Sequence, residues 1–276
     1  MPRTGGRAPN AAAPRALAPQ RRADAGRVHG MLWRRRTVWL PTLWGALLML
    51  ALAAAAAMAL GLVAYDLLAP SAPARGRDGG GGGARTLVVE GFMSPAELDQ
   101  VIVTLRVARY ERVLTTGGPI EQWPGVASWP SFAERAASYL RLNGTNETNG
   151  VNGLPVIALP APASARDRTY LSALMVRAWA QHAGVALEAV DLYSVGVHAR
   201  RSRLLYRMAL GDAVEVGVLA AQPSDYDGRH WWTSSEAAKA TLGEALGLAW
   251  TQCCFWPEPP GGSDSGHGAA PTVPSP

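Results

Sequence analysis

The chain has 276 residues, 48% of them hydrophobic and 17% charged, so it is long enough for one or two folded domains. Its net charge of +5 is unevenly placed: residues 1–36 hold nine arginines and one aspartate, whereas the remainder holds 17 basic and 20 acidic residues. Because the folded part is slightly acidic, a nucleic-acid partner is not expected. The cysteines, Cys253 and Cys254, are adjacent, and adjacent cysteines rarely bridge each other, so we expect no disulfide framework.

The first 36 residues are predicted to form a disordered, basic, cytoplasmic head. They are rich in alanine, proline, arginine and glycine and show no hydrophobic periodicity, which is typical of segments that bury no core. Met31, followed by Leu-Trp-Arg-Arg-Arg, is an alternative start of the chain, since nothing before it has the pattern of a folded element.

Residues 37–68 are predicted to form one transmembrane helix. The stretch from Thr37 to Tyr65 has no charged residue and exceeds the roughly 20 residues that cross a bilayer. Three arginines, Arg34 to Arg36, precede it, so we expect the N-terminus in the cytoplasm and the remainder on the outer, periplasmic side of the inner membrane. A cleaved signal peptide is the alternative, because Ser71-Ala-Pro-Ala is rich in small residues, but the apolar run is longer than a typical signal core.

Residues 69–85 contain prolines and five consecutive glycines, and they are predicted to be a flexible linker. From residue 86 to 250, short apolar runs then alternate with helical patterns. The predicted strands are 86–89, 112–116, 155–159, 189–194 and 213–219. Capping boxes at Ser94 and Ser131 open two helices, and further helices are predicted over 169–183, from Ala199, and over 234–250.

This alternation predicts an α/β fold, namely a Rossmann-like three-layer domain with a mainly parallel sheet of about five strands and helices on both faces. In the helix over 169–183, four residues are predicted to face inward: Leu171, Leu174, Met175 and Ala178. Residues 251–276 form a tail rich in proline, glycine and serine that is predicted to be disordered.

The stretch from Asp191 to Met208 carries the most informative polar residues. An apolar strand leads through Gly196 into a helix, which places His198 at the carboxyl end of the strand, where open α/β sheets bind ligands. Arg201 falls in the first turn of that helix, where a cation opposes the helix dipole unless an anion is bound nearby. A solvated basic face with a histidine that only caps the turn is an equally good interpretation of the residues alone.

Six segments together resemble a bacterial family of unknown function that includes SanA, ElyC and YdcF. They are Leu87-Val-Val-Glu-Gly91, Leu114-Thr-Thr-Gly-Gly118, Glu134, Thr169, Tyr193-Ser-Val-Gly-Val-His198-Ala-Arg-Arg201 and Glu244-Ala-Leu-Gly-Leu. The resemblance covers residues 86–250 and rests on the order and spacing of the segments. Glu90 stands where the family usually has a small residue. The resemblance implies a Rossmann-like domain behind a membrane anchor and a role in cell-envelope and peptidoglycan homeostasis.

The matched polar residues fall at strand ends or helix starts, so they are predicted to converge on one crevice. His198 and Glu134 are the candidates for catalysis, as a general acid or base and the group that orients it. The candidate ligand-binding residues are Glu90, Gly91, Gly117, Gly118, Thr169, Ser194 and Arg201. Arg201 can pair with a phosphate, and glycines let backbone N–H groups approach an anion. Purely structural roles remain open: Glu134 as the acid of a capping box, the glycines in turns, and Thr169 as a helix cap.

Two classes of function remain open at this stage. The first is an anchored envelope enzyme or binding protein for a phosphorylated or nucleotide-like ligand, such as a phosphorylated envelope intermediate. The second is a non-catalytic anchored scaffold with a vestigial crevice. The sequence has no metal-ligand spacing, no Ser nucleophile elbow, no P-loop and no GxGxxG turn, so no metal is predicted, no cofactor is identified, and enzyme activity stays undecided.

Overall fold

A computed structural model describes residues 41–75, 84–121, 129–144, 153–164 and 166–257. The predictions for the basic head, the glycine run and the tail after Pro257 lie outside these residues, as do residues 37–40 of the predicted transmembrane segment. Two compact units are recognised, residues 1–51 and 52–276.

Helix α1 spans Leu43–Leu68 and is the N-terminal apolar element that the sequence predicts. Among the residues described, it is the one helix long and apolar enough to cross a membrane. Its first charged residue is Asp66, in the last turn. The prediction of a single helix compatible with a membrane span is therefore confirmed at this level.

The remaining elements form an α/β domain with strands and helices in alternation. They are β1 (Thr86–Glu90), α2 (Pro95–Val107), β2 (Arg112–Gly117), α3 (Phe132–Gly144), β3 (Val156–Pro160), α4 (Arg168–His182), β4 (Ala189–Val195), α5 (Ala199–Leu210), β5 (Glu215–Ala221) and α6 (Ser235–Cys254). The five strands pair in the order β3-β2-β1-β4-β5, and every pairing is parallel. The predicted Rossmann-like fold class is confirmed.

Alternate side chains of the strands supply two separate cores, one on each face of the sheet. Leu87 and Val89 of β1 pack with α2 and α3, whereas Val88 packs with α4 and α5. The side chains of Leu87, Val88 and Val89 are all fully buried. Burial on both faces explains why these strands read as continuous apolar runs in the sequence.

The buried face of α4 differs from the predicted one. Met175 is buried as expected, but Leu171, Leu174 and Ala178 are half-buried. The buried side chains instead include Tyr170 and Trp179, which belong to the core shared with α5 and the sheet. The helix contacts two neighbours at once, so its buried surface is wider than one stripe of aliphatic residues.

The C-terminal end of the domain also departs from expectation. Helix α6 continues to Cys254 rather than ending near Trp250. Cys253 and Cys254 form a disulfide with each other, so the expectation that they stay unbridged is wrong. The bridged pair lies in the last turn of α6, so no helical turn follows that the bridge could distort.

Residues 69–75, predicted to be part of a flexible linker, lie against strand β5. Ala72 forms an antiparallel bridge with Val218 through two backbone hydrogen bonds of 2.7 and 2.9 Å. The amide of Ala74 donates to Oδ1 of Asp191 over 2.6 Å. Strand β5 is the last strand of the sheet, so this segment covers an edge that would otherwise expose unpaired backbone groups.

Candidate functional site

A cavity of about 650 Å³ lies at the carboxyl edge of the sheet. Between β1 and β4 the chain reverses the direction in which successive strands are added, and open α/β sheets bind ligands at this point. The ends of β1, β2 and β4, the first turns of α3, α4 and α5, and one face of α6 contribute to the wall. Its polar residues are Glu90, Thr116, Asp167, Arg168, Thr169, Ser172, His198, Arg201, Tyr226, Glu244 and Thr251.

Glu90, the last residue of β1, is a buried carboxylate held by three neighbours. The hydroxyl of Ser194 donates to Oε2, and the hydroxyl of Ser202 lies 3.0 and 3.1 Å from the two oxygens. Nε2 of His198 lies 3.9 Å from Oε1. Burial raises the pKa of Glu90, although the charge of His198 and the serine hydrogen bonds act in the opposite direction.

His198 stands between two carboxylates from different elements. Its Nδ1 lies 2.8 Å from Oε1 of Glu244, and its Nε2 faces Glu90. The short contact assigns the Nδ1 proton to the bond with Glu244, which leaves Nε2 for a ligand. Burial alone would lower the pKa of His198, but Glu90 and Glu244 outweigh burial and raise it above its usual value. The edge of the Phe92 ring packs against the imidazole, with 5.3 Å between ring centroids.

Glu244 of α6 binds Arg201 of α5 with both carboxylate oxygens. Nε of Arg201 donates to Oε2 over 2.7 Å, and Nη2 donates to Oε1 over 2.9 Å. Burial opposes the charge of Glu244, but its bonds to His198 and Arg201 lower its pKa to about 2. The hydrogen bond to Glu244 in turn raises the pKa of Arg201. Glu244 is therefore a stable anion that positions both cationic side chains.

This arrangement favours binding of an anion next to Nε2 of His198. Ionised Glu90 and Glu244 balance the charges of His198 and Arg201, and protonation of Glu90, which its burial favours, would leave the cluster with a net positive charge. The first turns of α4 and α5 reach the same cavity, and the partial positive charge at helix N-termini acts in the same direction. A protonated Nε2 can also donate a proton to a bound oxygen atom.

The structure brings most of the sequence-predicted residues to this edge of the sheet. Gly117, Gly118 and Thr169 line the cavity together with Glu90, His198 and Arg201. Ser194 contributes by donating its hydroxyl proton to Glu90. Gly117 lies close to α3: a Cβ atom on this residue, whose φ is +148°, would lie 2.7 Å from Cβ of Phe132.

Gly91 and Glu134 are placed differently from the other predicted residues. The amide of Gly91 donates to the carbonyl of Thr116 over 2.7 Å, so it is not offered to a ligand. The amide of Glu134 donates to Oγ of Ser131, and the Ser131 hydroxyl donates to the Glu134 carboxylate over 2.7 Å. Neither Gly91 nor Glu134 is among the described residues that line the cavity. The carboxylate that orients His198 is Glu244.

Sequence reasoning assigned no site role to Glu244, Ser202 or Phe92. Glu244 is separated from His198 by 46 residues, and no local pattern brings them together. One signal was nevertheless available, because Glu244 is the sole charged residue between Ala240 and Pro257. A lone acid in such an apolar helix predicts a buried partner of opposite charge.

Within the described ranges, no group of three or more His, Cys, Asp or Glu side chains is arranged to hold a metal ion. Comparison with models of protein families, with curated proteins and with solved structures finds no match for this chain.

Proposed function

We propose that this chain is a membrane-anchored envelope protein, similar to the SanA, ElyC and YdcF family, that binds or processes a phosphorylated or nucleotide-like ligand. The observation that carries the proposal is the position of His198, between the carboxylates of Glu90 and Glu244 and beside Arg201, in a cavity at the carboxyl edge of the sheet. The ligand would serve cell-envelope and peptidoglycan homeostasis, as the resemblance implies.

Phosphate is the ligand group that best matches the charges around the cavity. Arg201 uses Nε and Nη2 to bind Glu244, which leaves Nη1 to donate to a phosphate oxygen. Arg168 lies at the start of α4 and lines the same cavity, together with Thr169. Planar arginine cations and helix N-termini are features that phosphate-binding sites share.

His198 would act on the bound phosphate as a general acid through Nε2. Glu244 holds the ring by Nδ1, so the imidazole keeps a fixed orientation while Nε2 gains or loses its proton. Glu90, desolvated and beside Nε2, raises the proton affinity of His198 when it is ionised. The residues therefore support donation of a proton from Nε2 to an oxygen atom of the bound phosphate. Binding without a reaction would use the same arrangement.

The anchoring proposal rests on α1 and on the arginines before it. Helix α1 has the length and apolarity of a span, and Arg34 to Arg36 favour a cytoplasmic N-terminus. The α/β domain would then lie on the periplasmic side of the inner membrane. A reporter fused after Leu68, with alkaline phosphatase activity expected only outside the cytoplasm, tests this orientation.

A binding experiment on the detergent-solubilised full chain tests the ligand proposal. Thermal shifts are measured with a nucleoside monophosphate and with a short-chain polyprenyl phosphate, for the native protein and for His198→Gln and Arg201→Gln. We expect at least one ligand to raise the Tm of the native protein, and both variants to reduce this shift. His182→Gln and Arg207→Gln, exposed residues on α4 and α5, are the matched controls and should behave like the native protein.

The alternative function is a non-catalytic anchored scaffold, and the pairing of Arg201 with Glu244 favours it, since a satisfied ion pair can be purely structural. A scaffold predicts no thermal shift with either ligand. It also predicts that cells carrying His198→Gln or Arg201→Gln resist envelope stress as well as cells with the native protein. Those two results together would overturn the ligand proposal.

A further inference from the structure

The outward face of α6 carries no charged residue after Lys239. Two large apolar residues four positions apart, Leu242 and Leu246, are 55% and 73% exposed, and Trp256 just beyond the helix is 85% exposed. Trp250, which is 53% exposed, instead lines the cavity. Glu244 points instead to Arg201 and His198. Exposed faces of large apolar residues are normally covered by lipid or protein, so water is not the expected neighbour of this face.

The length of α1 indicates the depth in a bilayer at which α6 begins. The helix has 26 residues and is about 39 Å long, whereas the hydrocarbon core is about 30 Å thick, so its last turns emerge into the headgroup region. The indole N–H of Trp231 donates to the carbonyl of Gly61 over 2.9 Å. Nε of Arg229, in the short 3-10 segment Gly228–Thr233, lies 3.9 Å from Oδ1 of Asp66 in the last turn of α1. This segment, which also holds Trp231 and Trp232, therefore lies beside the emerging end of α1, at the height where tryptophans concentrate.

Helix α6 begins directly after this segment and stays close to the end of α1. Ser234 caps α6, with its Oγ accepting from the amide of Ala237. Ala240 and Leu248, which are eight positions and so about 12 Å apart along the helix, both pack in the cluster formed around Tyr65 and Leu68. Two turns of α6 therefore face the hydrophobic cluster that the C-terminal end of α1 shares with Val197 and Trp231.

From these contacts we propose that the outer face of α6, defined by Leu242, Leu246 and Trp256, lies in the interfacial region of the same bilayer that α1 crosses. The inference rests on the anchoring proposed above. A lipid surface is favoured over a second copy of the chain because the face continues from a segment that α1 places at interface height. Large apolar residues with tryptophan and no charge are what an interfacial helix inserts among headgroups.

Fluorescence quenching in vesicles tests this placement on the full chain. A single cysteine replaces Leu246, or in a second version Leu242, with Cys253→Ser and Cys254→Ser in the background, and it carries the dye NBD. The vesicles contain phosphatidylcholine and phosphatidylglycerol, with or without lipids bearing a nitroxide near the top of the acyl chain. Val107→Cys on α2, where the native valine is 82% exposed, is the control site in the same background.

We expect the nitroxide lipid to quench NBD at 246 and 242 several-fold more strongly than at 107, and aqueous iodide to show the reverse order. Equal iodide access at all three positions would overturn the proposal. A second result would also overturn the proposal: NBD at 246 and 242 is protected from iodide but is not quenched by the nitroxide lipid. If this protection disappears when the protein is diluted in lipid, a second copy of the chain covers the face. Flotation with the vesicles after carbonate extraction separates these outcomes from a failure of anchoring, since an unanchored protein would not float.

Discussion

Nδ1 of His198 lies 2.8 Å from Oε1 of Glu244, and the same carboxylate binds Arg201 through both of its oxygens. The side chain of Glu244 thus fixes the relative position of His198, just before α5, and Arg201, in the first turn of α5. Since α6 also forms a wall of the cavity, any movement of this helix would change the charge distribution around a bound ligand.

Replacement of Glu244 by Gln should weaken the site and the fold together. Loss of a charged acceptor for two partly buried cations is expected to cost about 2–3 kcal/mol of stability. It should also lower the pKa of His198, because one of the two carboxylates that raise it is removed. Chemical denaturation and an NMR titration of the histidine ring measure the two effects. Glu236→Gln, an exposed change on the same helix, should alter neither by a measurable amount; an unchanged pKa of His198 in Glu244→Gln would contradict the assignment.

The stability contributed by His198 should fall as the pH rises. Its pKa is raised in the folded protein above the ordinary value of 6.5, so its stabilisation is complete below that pH and is lost as the pH passes through the raised pKa. The groups that face it are Glu90, Glu244 and Arg201. The native protein should therefore exceed His198→Gln in stability by more at pH 6 than at pH 9. Denaturation of both proteins at the two pH values measures this difference, and a difference that grows with pH would contradict it.

Gly91 is expected to be intolerant of a side chain even though its backbone needs no unusual conformation. A Cβ atom there would overlap the backbone of Phe132 and would lie 2.7 Å from the carbonyl oxygen of Thr116. We expect Gly91→Ala to lower the free energy of unfolding by about 2–3 kcal/mol. Gly243→Ala on α6 is the matched control: a Cβ atom there meets nothing within 4 Å, so stability should rise by about 0.5–1 kcal/mol. Similar effects at both positions would contradict this packing.

Asp191 should hold the segment after α1 against the sheet. Its Oδ1 accepts from the amide of Ala74, and its Oδ2 accepts from the hydroxyl of Tyr110 over 2.9 Å. Asp191→Ala leaves both donors unpaired, so we expect a loss of about 2–4 kcal/mol and faster exchange of the amides of Ala72 and Ala74. Glu215→Ala, which removes an exposed bond to the amide of Arg75, should change exchange much less. Unchanged protection in Asp191→Ala would show that β5 alone holds the segment.

Local signals in the sequence predicted the elements of the fold well. The Ser94 capping box opens α2 as expected, with the amide of Ser94 donating to the carboxylate of Glu97 over 2.7 Å. Gly196, at a φ of +45°, marks the turn between β4 and α5. Strand β5 begins two residues later than predicted because Gly211 and Val214 close a turn first, through a hydrogen bond of 3.2 Å. The sequence pattern gives only a weak signal for strand boundaries that are set by such turns, whereas the structure shows them directly.

The candidate site was less accessible to sequence reasoning because its contacts are long-range. The topology of a parallel sheet places Glu90 and His198 at one edge, and this follows from the strand pattern alone. The partner of His198 does not follow, since Glu134 and Glu244 are both acids on helices near that edge. The structure distinguishes the two acids by their contacts. Glu134 binds Ser131 in a capping contact, whereas Glu244 binds Arg201 with both oxygens. The buried carboxylate of Glu90 is accommodated by the hydroxyls of Ser194 and Ser202.

The bridge between Ala72 and Val218 bears on how the domain can be produced apart from its anchor. A truncated protein starting at Ala84, after the glycine run, would lack the segment that covers β5 and would present a bare strand to neighbouring molecules. Such a protein should aggregate at high concentration. A protein that starts after α1 but before Ser71 keeps the segment that covers β5 and should stay in solution.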